Sequence, residues 1–448
     1  MYLIDEQGYV SASNEILLEE LNDEQFQTEL NKYNMELNLS AVAIEGKPFS
    51  TLLNEIRSKV SVVQKIAAKH HIRVVPVGIL PTLQEEHLSG KYITDFPRYR
   101  QLSKQLLKLK GDKFQVNIDG EEPVSFCCDD VTVEGANTSF QVHLMVGKNH
   151  FANTFNAAQM TLSLVTAIGA NSPILLGNRV WDETRISLFK QSVDIRNFNN
   201  QEWRKPARVS YGHGWVRKNA YELYAEAVSI FEPLFPQITD EDTEAVMATG
   251  KNPELAELNL HMGTIWPWNR AVYSSKDNGH IRIEFRAIPA GPTSEDMCAN
   301  AAFAIGLATG LRDDIDKLIC IIPFRFAEYN FYRAAQSGID AKILWRDEKG
   351  HHLTERPILD VVKEMLPIAA KGLTMLGVDD AESKHFLGII EQRMNNKMTG
   401  ARWQKECLRF FEKDLCKEQA CRDMVKLYVD NTETCLPVAE WPQPWLED

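Results

Sequence analysis

The stretch HIRIEFRAIPAGP, His280 to Pro292, alternates strictly over its first seven residues. In a strand, His280, Arg282, Glu284 and Arg286 share one face, and Ile281, Ile283 and Phe285 share the other. Such a face reads in two ways. It is the solvated side of an antiparallel sheet, or it is a reaction surface where Glu284 holds a metal ion and the arginines hold phosphate. Three further stretches carry polar groups with similar spacing: Glu36 with Asn38, Gln141 with His143, and His261, Asn269 and Arg270 within LHMGTIWPWNR. Carboxylate oxygens suit Mg²⁺, which binds through a few carboxylates and substrate phosphates. A guanidinium suits phosphate because its planar fork donates two hydrogen bonds at once. Taken singly, each residue has an ordinary role: His143 as a half-buried histidine, Glu36 facing water, Gln141 satisfying backbone, Arg282 as a surface cation. Chemistry requires that the strands share a sheet.

The segment GANSPILLGNRVWDETRISLFKQSVD, Gly169 to Asp194, follows an apolar helix. Asn171-Ser172-Pro173 ends that helix, and Gly177 permits a second turn. Arg185 beyond it is either a surface ion pair, which contributes little, or a clamp for a substrate carboxylate. The common phosphate cradles are absent: the chain has no GxxxxGK[ST] loop and no GxGxxG after a strand. SYGHGW, Ser210 to Trp215, reads as an ordinary turn in preference to a mobile active-site loop, and the NTS at Asn137 has no secretory context.

The elements that must position these groups mix strands and helices. Strands are expected around Tyr33–Ser40, in IRVVPVGIL, and over Asn137–Val146. Helices are expected over Phe49–His71, from Phe151 to Ala170, over Asn219–Phe235, and over Ser294–Leu311 with Ser294 as N-cap. After Asn330 the strand signals vanish and helical periodicity takes over. The expected fold class is α+β: a body over residues 1–330 built on a mostly antiparallel sheet with one polar face, flanked by helices, and a helical part over residues 331–448 packed on it.

Composition bounds the function. The 448 residues are 44% hydrophobic and 25% charged, with material for a large core. A net charge of −13 argues against general nucleic-acid binding but leaves room for a locally positive pocket. No apolar run approaches a membrane span, and MYLIDEQGYVSASNEILLEEL is no secretory signal. The eight cysteines form no CxxC pair and read as reduced cytosolic thiols, so a cytoplasmic protein is expected.

Taken in order, NTSFQVH, ANSPILLGNRVWDETRISLF, HMGTIWPWNR and HIRIEFRAIPAGPT resemble glutamate–cysteine ligase-like carboxylate–amine ligases, which share the glutamine synthetase-like catalytic fold. GILPTL (Gly78–Leu83), TGARWQ (Thr399–Gln404) and PVAEWP (Pro437–Pro442) extend the resemblance, to a bacterial branch, over nearly the whole chain. It implies ATP and Mg²⁺ as cofactors. It also implies a glutamate-like carboxylate and an amine as small-molecule partners, with no nucleic acid or membrane and with a homo-oligomer left open. By resemblance, Glu284, Glu36, His143 and Gln141 look like the metal set, and Arg286 with Arg282 like the groups that stabilise the transferring phosphoryl charge. Arg185 and Asn171 look like substrate-binding residues, and Asn269 and Arg270 like nucleotide-binding ones.

The sequence departs from that pattern at its start. In the family a strand of the form G-x-E-x-E runs directly into a segment like MYLIDEQGYV, so the resemblance implies metal-binding glutamates upstream of Met1; a start placed too late, or a truncation, is the expectation. Asn38 likewise stands where a second carboxylate would complete the Glu36 strand. The rival expectation is a nucleotide- or amino-acid-binding protein whose catalysis is impaired, and a third is a phosphotransferase acting on an amine or guanidino group. Glu284→Gln is expected to stop turnover and leave the fold intact.

Overall fold

The computed structural model describes residues 1–196, 205–347, 349–350 and 352–446. Strand β1 (Tyr2–Asp5) pairs antiparallel with β4 (Ile72–Val75), while β2 (Phe26–Thr28) and β3 (Met35–Leu37) form a separate antiparallel pair. Helix α1 (Pro48–Lys69) begins on a proline, which suits a first turn with unsatisfied N–H groups. Its buried stripe, Phe49, Leu53, Ile56, Val63 and Ala67, follows the helical period.

Strand β5 (Val142–Met145) leads into α2 (Phe151–Gly169), whose residues are buried on every side. Strands β6 (Asn269–Ser274) and β7 (His280–Phe285) form a hairpin, and its turn places Asp277, Asn278 and Gly279 at positive φ. Together β6, β7 and β5 make an antiparallel three-stranded sheet with β7 in the centre. Helix α3 (Ser294–Leu311) follows, capped by Thr293 rather than by Ser294: the Thr293 hydroxyl accepts from the Asp296 backbone N–H. Apart from Ser294, α3 is wholly buried, as a helix without a polar face must be.

Beyond residue 330 the structure differs from a purely helical expectation. Strands β8 (Lys342–Arg346) and β9 (Leu353–Pro357) form a further hairpin. Helix α4 (Ile358–Met375) packs so closely on α3 that a Cβ on Gly310 or Gly372 would collide with backbone of the facing helix. Helices α5 (Asp380–Asn396), α6 (Gly400–Phe411) and α7 (Lys417–Glu433) follow. The main hydrophobic cluster extends from Tyr2 to Trp441, so the core crosses residue 330 without interruption.

The architecture is a mixed α/β arrangement of helices around several small sheets. Among the described residues every strand pair is antiparallel except Val209–Ser210 with Trp266–Pro267. One broad sheet uniting all the polar strands does not form: β3, which carries Glu36, pairs only with β2. Three-residue strands have too few ladder bonds to extend a sheet by themselves, and the packing of α1 sets where they lie.

Candidate active site

The register of the three-stranded sheet sets the site. Arg270 on β6 lies opposite Glu284 on β7, and Glu284 lies opposite His143 on β5. Directly opposed residues in an antiparallel sheet point to the same face, so a cation, an anion and an imidazole form one row. Arg270 Nε donates to Glu284 Oε2 at 2.6 Å and its Nη2 to Oε1 at 3.2 Å. Arg286, just past the strand, donates from Nη1 to Glu284 Oε1 at 3.0 Å. His143 Nε2 stands 3.6 Å from the same oxygen.

The Glu284 side chain is 2% exposed. Burial pulls its carboxyl up, but the guanidiniums of Arg286 and Arg270, with His143, outweigh that and hold it at about 2. Burial lowers the His143 imidazole against the pull of Glu284, and Arg282, Arg270 and Arg286 lower it further. The glutamate expected to offer free oxygens to a metal is therefore already engaged by two arginines.

In front of this row lies a cavity of about 1020 Å³. Its lining includes the cations Arg185, Arg282 and Arg286, the acids Glu29, Glu36 and Glu134, and the polar side chains of Asn38, Gln141 and His143. Leu37, Leu39, Ile44, Phe49, Leu52 and Ile56 add apolar lining. Glu36 is open to the cavity yet deep among protein atoms. Burial and Glu29 push its carboxyl up to about 7, against the N-terminal ammonium and Arg98. Burial and Glu29 likewise push Glu134 up to about 8, opposed by Arg286.

Arg185 reaches the cavity from the loop after α2. Its Nε donates to Glu183 Oε1 at 2.7 Å and its Nη2 to the Ala287 carbonyl at 2.7 Å. The link to Ala287 ties the loop to the chain just beyond Arg286. Gly78 allows the approach: a Cβ there would sit 2.9 Å from Ser172 Cβ and 3.2 Å from Arg185 Cδ.

Of the residues singled out in the sequence, Glu36, Gln141, His143, Arg185, Arg282 and Arg286 line one cavity, and Glu284 and Arg270 lie directly behind it. Asn171 and Asn269 do not line it. Asn269 precedes Arg270 on the strand and so points to the opposite face, where Nδ2 donates to Gln159 Oε1 at 2.6 Å. Asn171 is fully buried behind Arg185, its amide occupied by Ala290, Tyr428 and Gln404. His261 is likewise outside the cavity, against the Ala227 carbonyl. Sequence reading missed Glu29 and Glu134, because neither sits in a run long enough to show a period.

Glu29, Glu36, Glu134, Asn38 and Gln141 bring to one cavity the oxygen donors that suit a hard divalent cation. Among the described residues, no three His, Cys, Asp or Glu side chains converge as a ready-made metal group. A cation held here would take the rest of its ligands from water and substrate phosphate. Of the cysteines, Cys435 alone is among the cavity-lining residues. All are free, and burial pushes the thiols of Cys128, Cys298, Cys407 and Cys421 up to about 12. Among the described residues no helix is long and apolar enough to cross a membrane.

The family model described as glutamate–cysteine ligase family 2 matches residues 1–375. No curated protein matches the chain. Among solved structures, the Pup ligase PafA of the prokaryotic ubiquitin-like modification pathway, in complex with ADP, aligns over 92% of this chain and 72% of that one. Its identity is 9% and its TM-score 0.41, a likeness too distant to carry an argument.

Proposed function

Because this chain belongs to glutamate–cysteine ligase family 2, we propose that its cavity joins a carboxylate to an amine at the expense of ATP, with glutamate the carboxylate that the family suggests. The observation that carries the reading is that Arg185, Arg282 and Arg286 line the same cavity as Glu29, Glu36 and Glu134. A carboxylate oxygen attacks the γ-phosphorus of ATP; the bond to the β-phosphate oxygen breaks, leaving an acyl phosphate and ADP. The amine then attacks the acyl carbon, phosphate leaves, and the amine gives up a proton.

Both sets of side chains have a part in that sequence. Arg286 and Arg282 stabilise the charge spread over the transferring phosphoryl group. Glu284 and Arg270 hold Arg286 in place: an arginine between a carboxylate and the cavity has few other orientations. Arg185 takes the substrate carboxylate that does not react. Glu36, Gln141 and the acids beside them would hold Mg²⁺, which when bound neutralises phosphate charge and orients the nucleotide. His143 adds an imidazole to the same lining.

The test is release of ADP and phosphate with glutamate and a panel of amines that includes cysteine. Amine-dependent ADP formation is expected, and its absence across the panel would overturn the reading. One observation favours a second reading, a nucleotide-binding protein without turnover: Glu284 is fully engaged by arginines. Calorimetry separates the two, since ATP binding that ignores Mg²⁺ and yields no ADP supports the second.

A further inference from the structure

Residues 376–448 lie beyond the stretch matched by the family model, yet helices α6 and α7 grip the loop that leads to Arg185. Ala401 N donates to the Ala170 carbonyl at 2.9 Å. Gln404 Nε2 donates to Asn171 Oδ1 at 2.8 Å. Asn171 Nδ2 donates to the Tyr428 hydroxyl at 2.8 Å, and that hydroxyl donates to the Pro76 carbonyl at 2.9 Å. Lys405 Nζ donates to Asp182 Oδ1 at 2.7 Å and to the Val180 carbonyl at 3.1 Å. Helix α6 comes so near that a Cβ on Gly400 would run into the Asn171 amide.

The chain of contacts ends at the cavity. Asn171 N donates to Glu183 Oε2 at 2.9 Å, and the other Glu183 oxygen takes Arg185 Nε at 2.7 Å. Glu183 is fully buried and Arg185 nearly so. A buried amide with each of its polar groups partnered has one low-energy orientation, and so do the groups it holds.

We infer that Gln404 and Tyr428 are positioning residues, which act through Asn171 and Glu183 to aim the Arg185 guanidinium into the substrate cavity. This rests on the proposed role of Arg185 for its kinetic consequence, though not for its structural one. The C-terminal helices are then part of the active site's scaffold and not only of its stability.

Gln404→Leu and Tyr428→Phe in the full chain test it by two measurements. The first is steady-state kinetics: KM for the carboxylate substrate should rise roughly tenfold, as for residues that orient a binding group, with KM for ATP unchanged. The second needs no substrate. Phenylglyoxal labelling of Arg185, read by peptide mass, should be several-fold faster in the variants, while labelling of Arg270 stays constant. Variants that fold and keep wild-type labelling overturn the proposal, as does an equal rise in both KM values with a lowered melting point. If the unmodified chain turns over no carboxylate, the functional reading fails, and labelling still decides the positioning. If Gln404→Leu does not fold, Tyr428→Phe, which removes one oxygen, decides alone.

Discussion

Arg270 and Glu284 face each other across adjacent antiparallel strands, joined by two hydrogen bonds of 2.6 and 3.2 Å. Glu284 is buried at 2% exposure and is the group that fixes Arg270 and Arg286. A polar residue on a strand's outward face would ordinarily be replaceable without loss of fold. Here the carboxylate lies between two guanidiniums, which its removal would leave without an anion.

Glu284→Gln should therefore lower the free energy of unfolding by about 3–5 kcal/mol as well as stop turnover. Denaturant unfolding checks the first part. The double variant with Arg270→Met should lose less than the sum of the two single losses, since they share one interaction. Strict additivity would show that the pair does not act as a unit.

The same carboxyl makes the protein acid-sensitive. Its folded value of about 2 lies below its ordinary value of 4.5. Its contribution to stability is complete above that ordinary value and is lost as pH falls towards 2. Melting points of the native chain should fall across that window, and those of Glu284→Gln should fall less.

Glu134 has the opposite sign. Its folded value of about 8 exceeds the ordinary 4.5, so its stabilising contribution is full below pH 4.5 and is lost as pH rises through 8. Glu134→Gln should melt roughly 3 °C higher than the native chain at pH 9 and at the same temperature at pH 4. An equal shift at both pH values would mean that packing, not charge, is responsible.

Arg185→Ala should raise KM for the carboxylate substrate at least tenfold more than KM for ATP. It should also lower the melting point, since Glu183 is left buried beside no cation. Equal effects on both substrates would assign Arg185 to the scaffold alone.

Chelation should end ADP release, and added Mg²⁺ should restore it. Glu36→Gln should raise the Mg²⁺ concentration needed for half-maximal activity, because the cavity loses a ligand. Activity that survives chelation would leave the three cavity carboxylates without their proposed partner.

Much of this was legible along the chain. The two-residue period of His280–Phe285 placed Arg282, Glu284 and Arg286 on one face. The apolar helices 151–169 and 294–311 declared themselves by having no polar side. Alternation also separates Asn269 from Arg270, a distinction available to sequence reading but obscured when the two are taken as one motif. Glu29 and Glu134 gave no such signal: each follows or lies within an element of four residues or fewer, where no periodicity can be seen.

By itself the sequence determined which residues alternate, which helices must be buried, and that arginines and carboxylates sit on strands able to pair. Only the tertiary structure decided that Glu284 is spent on Arg270 and Arg286 and that Glu36 reaches the cavity from a separate strand pair. It also decided that Asn171, outside the cavity lining, ties the C-terminal helices to Arg185. Local patterns fix the direction in which a side chain points. What it meets there depends on strand register and on contacts between residues hundreds of positions apart, which no short-range pattern encodes.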